Sequence, residues 1–233
     1  GVFQSICQPG TVLGRLTPEV QAEVGFDCTV VLPATHDTGS AWLAVPARDD
    51  RAVYLSSGTW SLLGVENTVP ITSAASAAAN FTNEGGYGGT YRYLKNIMGL
   101  WMIQSVRREL GGQAPDGARP SFPELIAAAQ EAADFPGVVF TGDDRFLAPR
   151  SMIKEVKAAC AEAGYPRPET TGQLMQTIYN SLARDYRRAV EELQGLTGRA
   201  CTSLNIVGGG SQDGHLNQMT ANATGLPVYA GPT

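Results

Sequence analysis

LNIVGGGSQDGHLNQMTANATGLPVYA, residues 204–230, reads as strand, turn, helix and strand. Residues 204–207 are a strand-like run, and three consecutive glycines then turn the chain. Residues 214–224 read as helical, and 227–230 returns to a strand-like pattern. The glycine run fits neither of two familiar phosphate motifs. No Gly-Lys-Ser/Thr follows it, and Asp213 occupies the last glycine position of GxGxxG, which excludes a dinucleotide-binding dehydrogenase. What remains is a bare backbone turn on which a flat base or ribose could lie, next to a helix N-terminus that favours anions.

Working backward, 171–194, 149–163 and 123–133 read as helices, and 113–123, with three prolines, reads as a linker. Leu94, Ile97, Met98, Trp101, Met102, Val106 and Leu110 follow the i, i+3, i+4 spacing of one amphipathic helix over 94–110, stopped by Gly111-Gly112. On that helix Asn96 and Gln104, about two turns apart, would share a side; polar residues in such places are commonly only the wet face. Residues 52–56 and 59–65 read as a hairpin joined tightly through Ser57-Gly58, and 83–90 as a further loop or hairpin. Residues 29–32 form a short strand leading into His36-Asp37-Thr38, with a helix starting near 41, and 9–18 is a turn-rich entry. Strands at both ends and a helical block between them indicate an α/β domain with a helical insertion, placed at 111–200.

Besides the glycine turn and the Asn96–Gln104 pair, two groups could carry chemistry. Asp37 at the carboxyl end of a strand is where ligand sites of open α/β sheets collect, and a carboxylate can take a proton from an attacking hydroxyl. The bland alternative, that Asp37 or Thr38 only caps a helix, has equal standing. Ser56-Ser57-Gly58-Thr59 fits a phosphate loop built of small residues and hydroxyls, or an ordinary β-turn. Asp143-Asp144-Arg145 is better read as a solvated acidic turn than as a magnesium site.

The net charge of −5 supplies nothing to neutralise a run of phosphates, so a nucleic-acid partner is not expected. Cys7, Cys28, Cys160 and Cys201 have neither metal-ligand nor disulfide-framework spacing. No signal peptide or long apolar span is visible, so the expected compartment is the cytoplasm, without membrane attachment. Gly1 stands in place of a starting Met, and both ends read as cuts in a longer polypeptide.

Taken together and in order, the motifs resemble the FGGY family of carbohydrate kinases, nearest to its rhamnulokinase group. They are PGTVLGRLTPEV (9–20), THDTGSAW (35–42), YLSSGTWSLLG (54–64), TNEGG (82–86), YRYLKNIMGLW (91–101), DDRF (143–146) and NIVGGGSQDGHLNQM (205–219). The resemblance implies an actin-like ATPase domain of the ribonuclease-H type, a mixed sheet flanked by helices. Residues 1–233 would then be the second, ATP-binding domain of a kinase whose first domain, the main partner of this one, is absent. It implies transfer of the γ-phosphoryl group of ATP to the 1-hydroxyl of L-rhamnulose, with Mg²⁺ accompanying the nucleotide; another deoxy-ketose such as L-fuculose is the runner-up. Carried over by motif, Asp37 would be the catalytic base, with His36 and Thr38 touching the sugar. Gly58, Thr59, Asn96, Gln104 and Gly209 would bind the nucleotide. One departure is Asp213, where the family commonly has asparagine. As an isolated fragment the chain would be a nucleotide-binding module without turnover.

Overall fold

The computed structural model describes residues 2, 5–33 and 36–231. Thr35, the first residue of the THDTGSAW stretch, lies outside the described residues. The chain opens with β1 (Val12–Arg15), α1 (Pro18–Val24) and β2 (Thr29–Val31). The two strands pair antiparallel with each other alone, and α1 buries none of its residues. After α2 (Asp37–Leu43) come β3 (Ala52–Ser57) and β4 (Trp60–Asn67), the expected hairpin. Then follow α3 (Ala74–Ala78), β5 (Thr82–Gly85) and β6 (Tyr91–Met98). The helical block is α4 (Trp101–Gln113), α5 (Phe122–Glu131), α6 (Met152–Glu162) and α7 (Thr171–Thr197). Then β7 (Ser203–Val207), α8 (Gly214–Thr224) and β8 (Val228–Ala230) complete the α/β unit read from 204–230.

Six strands form one mixed sheet in the order β5-β6-β4-β3-β7-β8. β3, β7 and β8 run parallel to one another, while β3–β4, β4–β6 and β5–β6 are antiparallel. Register decides what each face presents, because directly opposed residues in a pair point the same way. Ser56, Leu62 and Asn96 form one row across β3, β4 and β6; Ser57, Ser61 and Ile97 form the next, on the opposite face. The first face carries α2, through Trp42 stacked on Tyr54 beside Leu94 and Val207. The second carries α7.

α7 is the organising element of the core. Its ends are fixed locally: Thr170 and Gln173 form a capping box at the start, and Gly198 ends it in the left-handed conformation. Ile178, Leu182, Tyr186 and Leu193 are fully enclosed between sheet and helices. Burying each such aliphatic side chain contributes about 1.5–3 kcal/mol.

Two expectations are corrected. The helix over 94–110 is two elements, since β6 ends at Met98 and α4 begins at Trp101. Strand β6 is covered over most of both faces, with Asn96 alone exposed, so it lacks polar alternation, and a short buried run of this kind mimics helical spacing. Gly99 marks the break: a Cβ there would sit 2.7–2.8 Å from backbone atoms of Gly58, Trp60 and Ser61. Asn96 and Gln104 therefore do not share a helix. Secondly, α2 begins at Asp37, not near residue 41, so Asp37 and Thr38 lie in its first turn.

Candidate active site

A cleft of about 1000 Å³ opens at the end of the sheet where β3 turns into β4. His36, Asp37 and Thr38 line one side, Ser56, Gly58 and Thr59 the floor, and Asn96 the strand behind them. Phe140, Thr141 and Arg188 form the far wall.

The hairpin floor is held rigidly. Gly58 N–H donates to Trp60 O at 3.0 Å, closing the turn. Leu100 N–H donates to Gly58 O at 2.9 Å and Trp101 N–H to Thr59 O at 3.2 Å. Both carbonyls, which would repel a phosphate, are thus tied to the start of α4, while Thr59 stays exposed at the cleft mouth. Beneath the turn, the Tyr186 hydroxyl and Ser61 Oγ share a buried hydrogen bond of 2.7 Å. Burial pushes the Tyr186 hydroxyl up to about 12, although its hydrogen bond with Ser61 and the nearby Ser57 hydroxyl pull the other way.

The triple glycine sits against this hairpin because β7 runs parallel to β3. Gly208 has φ +81° and ψ −173°, a conformation that only glycine adopts readily. A Cβ on Gly210 would overlap Ser57 Oγ. Gly209, between them, is exposed with nothing within 4 Å of where its Cβ would point. The middle residue alone presents open backbone. Asp213 closes the motif, its Oδ1 accepting Leu216 N–H at 3.0 Å to cap α8 and its Oδ2 accepting the Tyr179 hydroxyl at 2.7 Å. Burial first, then the Asp213 carboxylate, raise the Tyr179 pKa above the ordinary phenol value.

Four carboxylates line the cleft among the described residues, and three carry a cationic partner. Glu84 pairs with Arg92 at 3.0 Å, Glu192 with Lys95 at 2.6 Å and Asp143 with Arg145 at 3.0 Å. Asp37 has no Lys or Arg partner; its Oδ1 accepts Thr38 N–H at 2.6 Å and lies 3.4 Å from His36 Nδ1. Its side chain is 96% exposed. The helix-capping alternative is only partly realised, because the N-cap position is His36, whose side chain makes no cap bond.

Of the residues singled out by sequence, the cleft brings together His36, Asp37, Thr38, Gly58, Thr59 and Asn96. Gly209 adjoins it through the packing of its neighbours on Ser57. Gln104, in the first turns of α4, is not among the lining residues. Sequence reasoning missed Glu84, Lys95, Arg188, Glu192 and Asn80, which also line it. Asn80, the one non-glycine residue with positive φ (60°) among the described residues, carried no signal in its neighbourhood. Glu84 and Lys95 lay inside quoted motifs, but nothing local distinguished them from solvated charges.

The sequence model of the FGGY family of carbohydrate kinases, C-terminal domain, matches residues 53–233. This chain belongs to that family. A rhamnulokinase from Halalkalibacterium halodurans is 46% identical over 231 residues, covering 99% of this chain and 48% of that protein. One from Bacteroides thetaiotaomicron is 45% identical over 226 residues, covering 97% of this chain and 45% of that protein. The chain spans about half the length of the curated relatives it matches. Among solved structures, a xylulose kinase from Rhodospirillum rubrum superposes with a TM-score of 0.65 at 19% identity, covering 95% of this chain and 43% of that one. A gluconate kinase from Lactobacillus acidophilus gives 0.67 at 16% identity, covering 96% and 44%. These kinases share the fold of this chain, the actin-like ATPase type with a mixed sheet between helices. Among the described residues no helix is long and apolar enough to cross a membrane.

Proposed function

We propose that this chain supplies the catalytic base and nucleotide site of an ATP-dependent kinase acting on the 1-hydroxyl of L-rhamnulose. The observation that carries the reading is the contrast among the cleft carboxylates. Three are neutralised by Lys or Arg, and among the described residues Asp37 alone lines the cleft without such a partner, in the cavity that the Ser-Gly-Thr hairpin also lines. A carboxylate tied to a cation is a poor proton acceptor; a free one can take the hydroxyl proton as that oxygen attacks phosphorus. The bond from the γ-phosphorus to its bridging oxygen then breaks, ADP leaves, and the proton rests on Asp37. Gly58 and Thr59 would hold the phosphates in line, and Gly209 would lie under the nucleoside. Asn96, on the α2 face of β6, and Gln104, on α4, complete the proposed set of ligand contacts.

Mg²⁺ would neutralise phosphate charge. The cleft fits a cation held mainly by phosphate and water, as this hard ion prefers, because three of its four carboxylates are already paired. The sugar assignment rests on the rhamnulokinase relatives. The proposal extends over residues 1–233 as the nucleotide-binding half of the kinase, with the remaining half of the relatives' length as its partner. The near-complete exposure of Asp37 favours a second point: alone, this half cannot exclude water from the reacting atoms, so the isolated chain does not turn over.

In the full-length protein, Asp37→Asn should lower kcat by about 10²- to 10⁴-fold while the calorimetric Kd for ATP stays unchanged. Retained turnover, or ATP binding lost in parallel, would reject the assignment. L-Fuculose assayed beside L-rhamnulose tests the sugar.

A further inference from the structure

α2 has seven residues, about two turns, and a helix that short is not stable by itself in water. Its orientation is set by what it rests on. Trp42, 2% exposed, stacks on Tyr54 with ring centroids 4.9 Å apart and fixes the C-terminal turn. The N-terminal turn, which carries Asp37, rests on Arg92. A Cβ built on Gly39 would overlap Arg92 Nη1 and lie 2.7 Å from Cζ, so the guanidinium lies directly against the helix.

Arg92 is 4% exposed, and the strand register places it between Glu66 on β4 and Glu84 on β5. Its Nη2 donates to Glu84 Oε2 at 3.0 Å, whereas Nε is buried with no partner. A buried guanidinium that leaves a donor unmade is an expensive way to fill space; apolar residues of similar volume commonly serve stability as well or better. A planar, rigid group pinned by a carboxylate does something an aliphatic side chain cannot: it holds a neighbour at a fixed angle.

We infer that Arg92 is a positioning residue for Asp37, its guanidinium, anchored by Glu84, setting how the first turn of α2 presents that carboxylate to the cleft. This rests on the reading of Asp37 as the base. It also explains why position 39 is glycine although its φ does not demand one: any Cβ there displaces the guanidinium.

The test uses Arg92→Met, Gly39→Ala and the double variant in the full-length protein. Each single change should lower kcat by about 10- to 100-fold, the scale of a 1 Å misplacement, with the Kd for ATP within about twofold of the parent. If both act through one contact, the double variant should be no slower than Arg92→Met. Multiplying losses, unchanged kcat in an active parent, or ATP affinity falling with kcat would each overturn the inference. Should Arg92→Met not fold, Gly39→Ala carries the same kcat-against-Kd comparison. If the parent protein phosphorylates no sugar, the reading of Asp37 fails. The strut is then judged by amide hydrogen exchange, which in Arg92→Met should accelerate over 38–43 and not over 52–57. Equal exchange in α2 would refute it.

Discussion

Gly210→Ala probes the tightest contact between the two glycine-containing motifs. The added Cβ would overlap Ser57 Oγ and lie 2.5 Å from Ser57 Cβ and 3.1 Å from Ser57 O. Carbon atoms pack best at about 3.5–4.0 Å, so the turn would have to retreat by about 1 Å. Ser57 cannot give way cheaply. It is 1% exposed and hydrogen-bonded in register to β4, and its neighbour Ser56 is paired with β7. Overpacking of this kind costs about 1–3 kcal/mol. At roughly 2–4 °C per kcal/mol for a chain of this size, Tm should fall by roughly 2–12 °C. Differential scanning calorimetry on the chain as it stands measures this. Ser57→Gly removes both Oγ and Cβ but carries its own strand-glycine cost of about 0.5–1 kcal/mol, so recovery is read against Ser57→Gly alone, where Gly210→Ala should cost less than half of what it costs in the parent. Gly209→Ala is the control, since nothing lies within 4 Å, and it should melt within about 0.5 kcal/mol of the parent. A Gly210→Ala melt indistinguishable from that control, or no recovery with Ser57→Gly, would show that the motifs do not meet as described.

Asp213→Ala removes the α8 cap and leaves the Tyr179 hydroxyl without its acceptor, together costing about 2–4 kcal/mol by urea unfolding. Asp213→Asn should cost under about 1 kcal/mol, because the amide oxygen can keep the cap while the phenol turns to accept from the amide N–H. Stability should also have an alkaline limit. The Tyr186 pKa is raised by burial from 10.0 to about 12, so the folded state favours the neutral phenol. The contribution, on the order of 2 kcal/mol, is fully present below pH ~10 and lost as pH rises through ~12. The urea midpoint should fall over that window, and less steeply in Tyr186→Phe, with the raised Tyr179 adding a loss of the same sign. Parallel slopes in parent and variant would refute the assignment.

Local signals sufficed where a rule of the chain operates over a few residues. The hairpin at 52–65, the linker with its three prolines and the strand–turn–helix–strand of 204–230 emerged close to their observed bounds. They failed where the deciding contact lies far away in sequence. Tyr91–Met98 is a strand because β4 and β5 flank it and helices cover both its faces, and none of those neighbours is visible from its own spacing. Its two tyrosines and Gly99 were the local hints of a strand and its end. The cleft followed the same division: Asp37, the hairpin and the glycines were legible as motifs, whereas of the pairings that set Asp37 apart only Asp143–Arg145 is local; Glu84–Arg92 needs two strands to pair and Lys95–Glu192 is tertiary. Lys95 and Glu192 stand almost a hundred residues apart, and no pattern joins them before the chain folds.

The register of the sheet separates two kinds of residue that the motifs mix together. In SSGTWS, Ser57 and Ser61 face α7, where they pack beneath Tyr186, and Ser56 faces the side that carries α2 and Asp37. The turn at Gly58 and Thr59 is where the two faces meet. A change at 57 or 61 therefore acts first on packing under α7 and reaches the cleft only through the position of that turn. A change at 56 or 96 acts on the cleft face directly and leaves the α7 core intact. Within this hairpin, substitutions one residue apart should therefore differ in kind: stability moves with Ser57 and Ser61, and ligand affinity with Ser56.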